Sequence, residues 1–316
     1  MIDNFKSHKG FLRTFAKDKL TLGIFFPLEA YDGPIPRMDM EEQTKLAVMA
    51  EEAGFASLFV RDVPLNDPMF GDVGQIYDPW VYLGFIAAKT KHIALGTGSA
   101  IITFRHPLDV AKAAASVDIL SKERLLLGVA TGDRPIEFTA YGKERAKRSE
   151  LFREAFQVMK EVWANAYPTI DTERVNLIGA DLLPKPKPKD IPTFVTGHSG
   201  QSLDWIATNS DGWISYPRNP EQQGELIREW RGLTDGYKPF AQSLYIDLTE
   251  NPNETPTPIH LGFRSGRKFL LEFLYALESA GVNHVLFNVK FASRPIADVI
   301  QELGEEVVPH FPAQSD

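Results

Sequence analysis

The stretch LTLGIFFPLEAYDG, residues 20–33, decides between two ways of folding a chain in which strand and helix patterns alternate. Its first part, LTLGIFFPL (20–28), is a short apolar run of the kind buried on both faces of a parallel sheet. The residues after the run matter more. A doubly wound sheet that binds a dinucleotide carries a G-x-G-x-x-G turn after its first strand, and this chain has FFPLEAYDG there. The run is therefore expected to open a different α/β fold.

Working outward, SLFVRD (57–62), HIALGTGSAI (92–101) and LLLGVATG (125–132) read as the next strands. Between them, Asp39 and Glu42 form a capping box ahead of MEEQTKLAVMAEEAG (40–54), whose Gly54 suits a left-handed cap. Asp78-Pro79 and His106-Pro107 place prolines where a first helical turn tolerates them. Leu151, Ala155, Val158 and Val162, with Phe152, Phe156, Met159 and Trp163, give the fourth helix one wide apolar face. In the second half TFVTG (193–197), GWISYP (212–217), SLYIDL (243–248) and HVLFNV (284–289) are strands. Their helices are expected from about Ser199, Pro220 and Ser265, with a last one carrying Ile296, Val299, Ile300, Leu303 and Val307.

Eight such units predict a closed (β/α)8 TIM barrel over 20–316, preceded by an N-terminal extension, 1–19. About 250 residues is typical of that barrel and insertions are common. Two segments exceed ordinary connections: 167–190 before the fifth strand and 249–264 after the seventh. The PKPKPK run (184–189) is expected to be a stiff, exposed linker.

Composition removes several classes of function. With no cysteine among 316 residues, disulfides, thiolate metal sites and a cysteine nucleophile are excluded. A net charge of -8 argues against nucleic acid as a partner. The first twenty residues lack the apolar segment and cleavage site of a secretory signal, and no run approaches the roughly 18 apolar residues of a membrane span. A cytoplasmic protein without membrane association is expected.

Barrel chemistry lies at the C-terminal ends of the strands. That rule points to Phe26, Asp62, Thr97, Gly98, Ser99, Ala130, Thr131, Gly132, the 197–202 turn, Ser215, Asp247 and Asn288. Seven histidines are scattered without ligand spacing, so no metal site is expected. A mouth so poor in ionisable groups suits a cofactor that carries its own reactivity. In TFVTGHSGQSLDWIA (193–207), Ser199 at the helix cap, Ser202, and the permissive Gly197 and Gly200 suit a bound phosphate. An ordinary capped helix reads the same way.

The order of EEAGFASLFVRD (51–62), the long block 78–142, Arg148 and Glu154 ahead of Trp163, the 193–207 stretch, SAGVNHVLFN (279–288) and VVPHF (307–311) resembles the bacterial luciferase-like family of flavin-dependent monooxygenases. The resemblance implies a βα barrel that binds FMN, takes reduced FMN from a separate flavin reductase, uses oxygen on a small organic substrate, and forms a homodimer. It places Thr97, Gly98, Ser99, Ala130 and Thr131 along the flavin ring. Gly197, His198, Ser199, Gly200, Gln201 and Ser202 fall around the flavin phosphate, and a non-proline cis peptide near Gly98-Ser99. One departure stands out: the two histidines that follow the acidic residue after strand two in luciferases are Val63 and Pro64 here. Asp62 and Arg61 are then the candidates for polar catalytic roles, with a structural pair at a strand end as the alternative. Relatives of this barrel that use a deazaflavin for hydride transfer, or that bind flavin with little catalysis, leave two further readings open.

Overall fold

The computed structural model describes residues 5, 7–187 and 189–314. Eight parallel strands are hydrogen-bonded in chain order: β1 (Thr21–Phe25), β2 (Ser57–Val60), β3 (Ala94–Ile101), β4 (Leu125–Ala130), β5 (Thr193–Thr196), β6 (Gly212–Ser215), β7 (Phe240–Leu248) and β8 (His284–Asn288). The sheet closes because β8 also pairs with β1, Thr21 lying opposite His284. This is the predicted barrel, and its strands are buried on both faces because helices cover the outside and side chains fill the inside.

The helices follow from local chemistry. In α2 (Met40–Glu52) the Asp39 carboxylate accepts from the amides of Glu41 and Glu42, and in α3 (Pro79–Lys89) Asp78 does the same for Trp80 and Val81. In α4 (Pro107–Leu120) the His106 ring accepts from Leu108. Helix α6 (Arg148–Ala164) buries the predicted apolar face, and the Trp163 indole donates to Ala111 O at 3.0 Å, which ties α6 to α4. Helices α7 (Leu203–Asn209), α8 (Pro220–Leu233), α9 (Arg267–Ala280) and α10 (Ile296–Glu306) complete the outer layer. None of the helices among the described residues is long and apolar enough to cross a membrane.

Several elements differ from the sequence reading. Residues 7–19 of the N-terminal extension turn inward; residues 1–4 and 6 lie outside the described residues. A short helix, α1 (Lys9–Thr14), sends Phe11 and Phe15, with Phe5, against Phe25, Phe59, Phe194 and Leu286 inside the barrel. The Phe15 and Phe194 rings are 5.1 Å apart. Gly10 allows this approach: a Cβ there would lie 2.5 Å from Arg124 O. A second unanticipated helix, α5 (Pro135–Ala140), follows β4.

Both insertions are folded. Ile170–Asp171 and Asn176–Leu177 form a small antiparallel pair before β5. After β7, Thr257–Ile259 pairs with Gly262–Ser265, which itself lies parallel along Tyr245 to Leu248 of β7. Ser265 therefore ends a strand, and α9 begins at Arg267 instead of Ser265. The PKPKPK run is not a free linker: Lys185 Nζ donates to the carbonyls of Val162 and Asn165 at the end of α6 and pairs with Asp181 at 2.6 Å, while Pro186 is buried. A lysine at a helix C-terminus satisfies carbonyls that have no intrahelical partner. Residue 188 of that run lies outside the described residues.

Candidate active site

A cleft of about 880 Å³ opens at the C-terminal ends of the strands. Its walls bring together Arg61, Asp62, Gly98, Ser99, Ala130, Thr131, Gly197, His198 and Ser199, residues drawn from distant parts of the chain. The backbone of β3 is what shapes the floor. Its pairing with β4 shifts register between Thr97 and Ala100, and the Gly98-Ser99 peptide is cis. Ser99 Oγ then donates to Thr196 Oγ1 across the barrel.

Four of the residues that the family resemblance placed on the cofactor stand outside this lining. Thr97 is fully buried, and its hydroxyl donates to Gly128 O at 2.7 Å, holding β3 to β4. Gln201 is buried: its amide donates to Ser149 O and its carbonyl accepts from Arg153 at 2.9 Å. Ser202 is the true N-cap of α7 and accepts from the Trp205 amide at 3.2 Å. Gly200 packs over Ser149, whose Oγ would sit 2.1 Å from an added Cβ. Helix α7 therefore starts at Leu203, and Ser199 belongs to a turn before it.

That turn has its own chemistry. Gly197, Ser199 and Gly200 have φ of 54°, 47° and 71°, the left-handed region. Ser199 Oγ donates to Thr196 O, and the Gln201 amide to His198 O. Among the described residues, the amides of His198, Ser199 and Gly200 make no hydrogen bond. Successive backbone amides left unbonded on a tight turn can form a concave anion site. Arg153 stands behind the turn through Gln201, a positive charge not anticipated from sequence.

Arg61 and Asp62 do not form a pair. Arg105 grips both oxygens of Asp62, the second at 3.0 Å, and the Ile101 amide donates to the same carboxylate at 2.9 Å. Arg105 also reaches Asp78, the cap of α3. Burial pushes the Asp62 carboxyl up while Arg105 and the Ile101 amide pull it down. Arg61 turns to Asp72 at 2.7 Å. Burial works against its charge, but Tyr245 and Asp72 outweigh that and hold its pKa above the ordinary arginine value. Neither side chain is a free acid or base.

Sequence reasoning also missed residues that reach the cleft from outside the strand ends. Arg134 and Glu137 come from the start of α5; Lys290 follows β8; His260 and Leu261 come from the turn of the hairpin after β7. The Lys290 ammonium sits 4.3 Å from the centre of the Tyr31 ring and 3.4 Å from Asp72. The missed signal was RPIEF at 134–138, where a proline opens a helix and places a glutamate in its first turn. Two expected residues point elsewhere. Phe26 packs outside the barrel against Tyr82, ring centroids 5.0 Å apart, and Asp247 accepts from Ser293. Successive strand residues face opposite sides, so Phe25 lines the cleft where Phe26 was expected.

Comparison with known proteins agrees with this architecture. An uncharacterised protein of Mycobacterium tuberculosis is 32% identical over 235 residues, 68% of this chain and 82% of that protein. An F420-dependent glucose-6-phosphate dehydrogenase of Kineococcus radiotolerans is 31% identical over 65% of this chain and 64% of its own length. An F420-dependent hydroxymycolic acid dehydrogenase of Mycobacterium tuberculosis is 30% identical over 55% and 48%. This chain thus spans between about half and two thirds of those two dehydrogenases. Among solved structures, a monooxygenase of Streptomyces bottropensis superposes with a TM-score of 0.76 at 18% identity, covering 92% of this chain and 100% of that one. An F420-dependent secondary alcohol dehydrogenase superposes with a TM-score of 0.75 at 19% identity, covering 94% and 100%. At such identity these two show the fold alone. The family model described as luciferase-like monooxygenase matches residues 20–242, and the chain belongs to that family of oxidoreductases.

Proposed function

We propose that this protein binds a flavin-type cofactor in the cleft, with a deazaflavin of the F420 class as the first reading, and moves a hydride between it and a small organic substrate. The observation that carries the proposal is the turn 197–200, whose amides at His198, Ser199 and Gly200 make no hydrogen bond and whose residues 197–199 line a cleft in which Arg61 and Asp62 are already paired. Such a cleft offers an anion site and apolar surface to a flat cofactor that carries its own redox chemistry. The names of the dehydrogenases similar in sequence favour the deazaflavin.

When bound, the ring supplies the two-electron redox chemistry. The chain's own residues hold and enclose it. The amides of His198, Ser199 and Gly200 take the cofactor phosphate. Gly98 and Ser99, with Ala130 and Thr131, present small residues to the cleft, and Phe25, Ile101 and Ile214 add apolar surface that excludes water. Gly98 keeps that floor open, since a Cβ there would lie 2.7 Å from the Phe25 ring.

The second reading is the FMN-dependent, two-component monooxygenase, with reduced FMN supplied by a separate reductase. The description of the matched family as monooxygenases favours it. The experiment is a titration of the full chain with F420, FMN and reduced FMN, followed by oxygen uptake with a reductase and NADH. Tight F420 binding without substrate-dependent oxygen uptake is expected. Binding of reduced FMN alone, with oxygen consumed in proportion to substrate, would establish the monooxygenase. A homodimer is proposed for either reading, and sedimentation tests it.

A further inference from the structure

With Asp62 and Arg61 committed to ion pairs and no histidine at residue 63, the wall between the ends of β2 and β4 still holds one uncommitted buried acid, Glu137. It stands at the third position of α5 and is fully buried, yet it is one of the residues lining the cleft, as are Asp62, Val63 and Thr131. One oxygen, Oε1, accepts from the Leu65 amide at 3.3 Å, which fixes the carboxyl's orientation. The other, Oε2, is buried and has no hydrogen-bond partner. A buried polar atom left unpaired costs about 1–3 kcal/mol, so such an atom in a cleft wall calls for a partner that arrives with a ligand.

We propose that Glu137 is the acid–base residue of this cleft, exchanging a proton through Oε2 with the oxygen of a hydroxyl or carbonyl substrate seated between the ends of β2 and β4. The inference rests on the hydride-transfer reading above. In the reducing direction Glu137 would deliver its proton to the carbonyl oxygen as the C=O π pair moves there, the hydride for the carbonyl carbon being what a bound reduced deazaflavin would supply, so that an alcohol, oxidised cofactor and the Glu137 carboxylate result. In the oxidising direction the carboxylate takes the hydroxyl proton as the hydride leaves for the cofactor. The surroundings suit a group that changes charge in this way. Burial pushes the Glu137 carboxyl up and Asp133 and Asp62 add to that push, while the Leu65 amide and Arg134 oppose it. A general acid works best with a pKa raised toward the working pH.

The test is an infrared titration of the full chain, wild type against Glu137→Gln, repeated after loading with F420 and adding acetone as a carbonyl probe. The expected result is a protonated-carboxyl stretch that persists to higher pH than an ordinary glutamate's, is missing from Glu137→Gln and is displaced by acetone in the loaded protein. Reduction of a small ketone by reduced F420 should then fall at least about 100-fold in Glu137→Gln, return in part in Glu137→Asp, and leave F420 affinity within about twofold. No difference between wild type and Glu137→Gln, or a band indifferent to acetone, overturns the proposal. So does a pH-dependent limb of turnover that survives in Glu137→Gln and disappears in Asp133→Asn. Fluorescence quenching of F420 in the same samples separates the two readings: failure to load defeats the deazaflavin assignment, whereas the carboxyl band of the unloaded chain and its titration report on Glu137 by themselves.

Discussion

Arg105 clamps Asp62, although the two are separated by 43 residues, while Arg61, the immediate neighbour of Asp62, turns to Asp72. Both residues follow the end of β2 and line the same cleft, yet each finds its own counter-charge from a different segment of the chain. One ion pair ties β2 to the loop before α4 and to the cap of α3, and the other holds the 63–74 loop over the cleft.

Removing one partner of the Asp62–Arg105 pair leaves a nearly buried charge alone. Arg105→Leu is expected to cost about 3–5 kcal/mol, read as a lower urea midpoint with unchanged slope. Asp62→Leu with Arg105→Leu should recover part of that loss, because both charges then leave together.

The His284 ring predicts acid sensitivity. It is fully buried in the barrel interior, with Nδ1 2.7 Å from Thr21 Oγ1 and Nε2 2.7 Å from Ser57 Oγ. Thr21 gives its own proton to Thr14 O at 2.6 Å, so Nδ1 carries the ring proton and Nε2 accepts from Ser57. Burial lowers its pKa to about 3 from 6.5. The unfolded chain therefore binds a proton that the folded chain refuses. This contribution to stability is complete above pH 6.5 and falls by about 1.4 kcal/mol per pH unit between 6.5 and 3. Unfolding midpoints against pH for wild type and His284→Gln check it, the variant being expected to lose that slope.

The anion turn and the helix cap behind it are separable. Ser202→Ala removes the N-cap of α7 and should cost about 1 kcal/mol of stability while leaving cofactor affinity unchanged. Gly200→Ala forces a Cβ against Ser149 and strains a residue with φ of 71°, so cofactor affinity should fall at least about tenfold. Paired thermal melts and cofactor titrations of the two variants read the difference.

The N-terminal plug should behave as core. Phe15 is buried against Phe11, Phe194 and His284, and Phe15→Ala is expected to destabilise by about 3–5 kcal/mol in thermal or urea unfolding. Loss of under about 1 kcal/mol would mean that α1 does not fill the barrel in solution.

The hairpin after β7 is a wall rather than a free lid, because Gly262–Ser265 is hydrogen-bonded along β7. Limited proteolysis within 249–264 should proceed equally slowly with and without cofactor. Protection that appears only on loading would show that the segment closes.

Much of this protein is local. Short apolar runs, capping aspartates and the glycines that end helices are short-range signals, and together they were enough to order eight βα units and reject a doubly wound sheet. The 193–207 turn was legible for the same reason, whereas the departure at Val63 and Pro64 was visible only against the family resemblance. Three things were decided only by the folded chain. The partner of Asp62 lies on another strand's loop, and opposite charges choose partners by distance in space rather than in sequence. The start of α7 moved to Leu203 because Gly197, Ser199 and Gly200 adopt left-handed backbone, which frees three amides and leaves Ser202 to cap. Glu137 could not be read from its neighbours, since a glutamate in the first turn of a helix is ordinarily solvated. Its burial, and the unpaired oxygen in the cleft wall, come from the packing of α5 against the loop after β2.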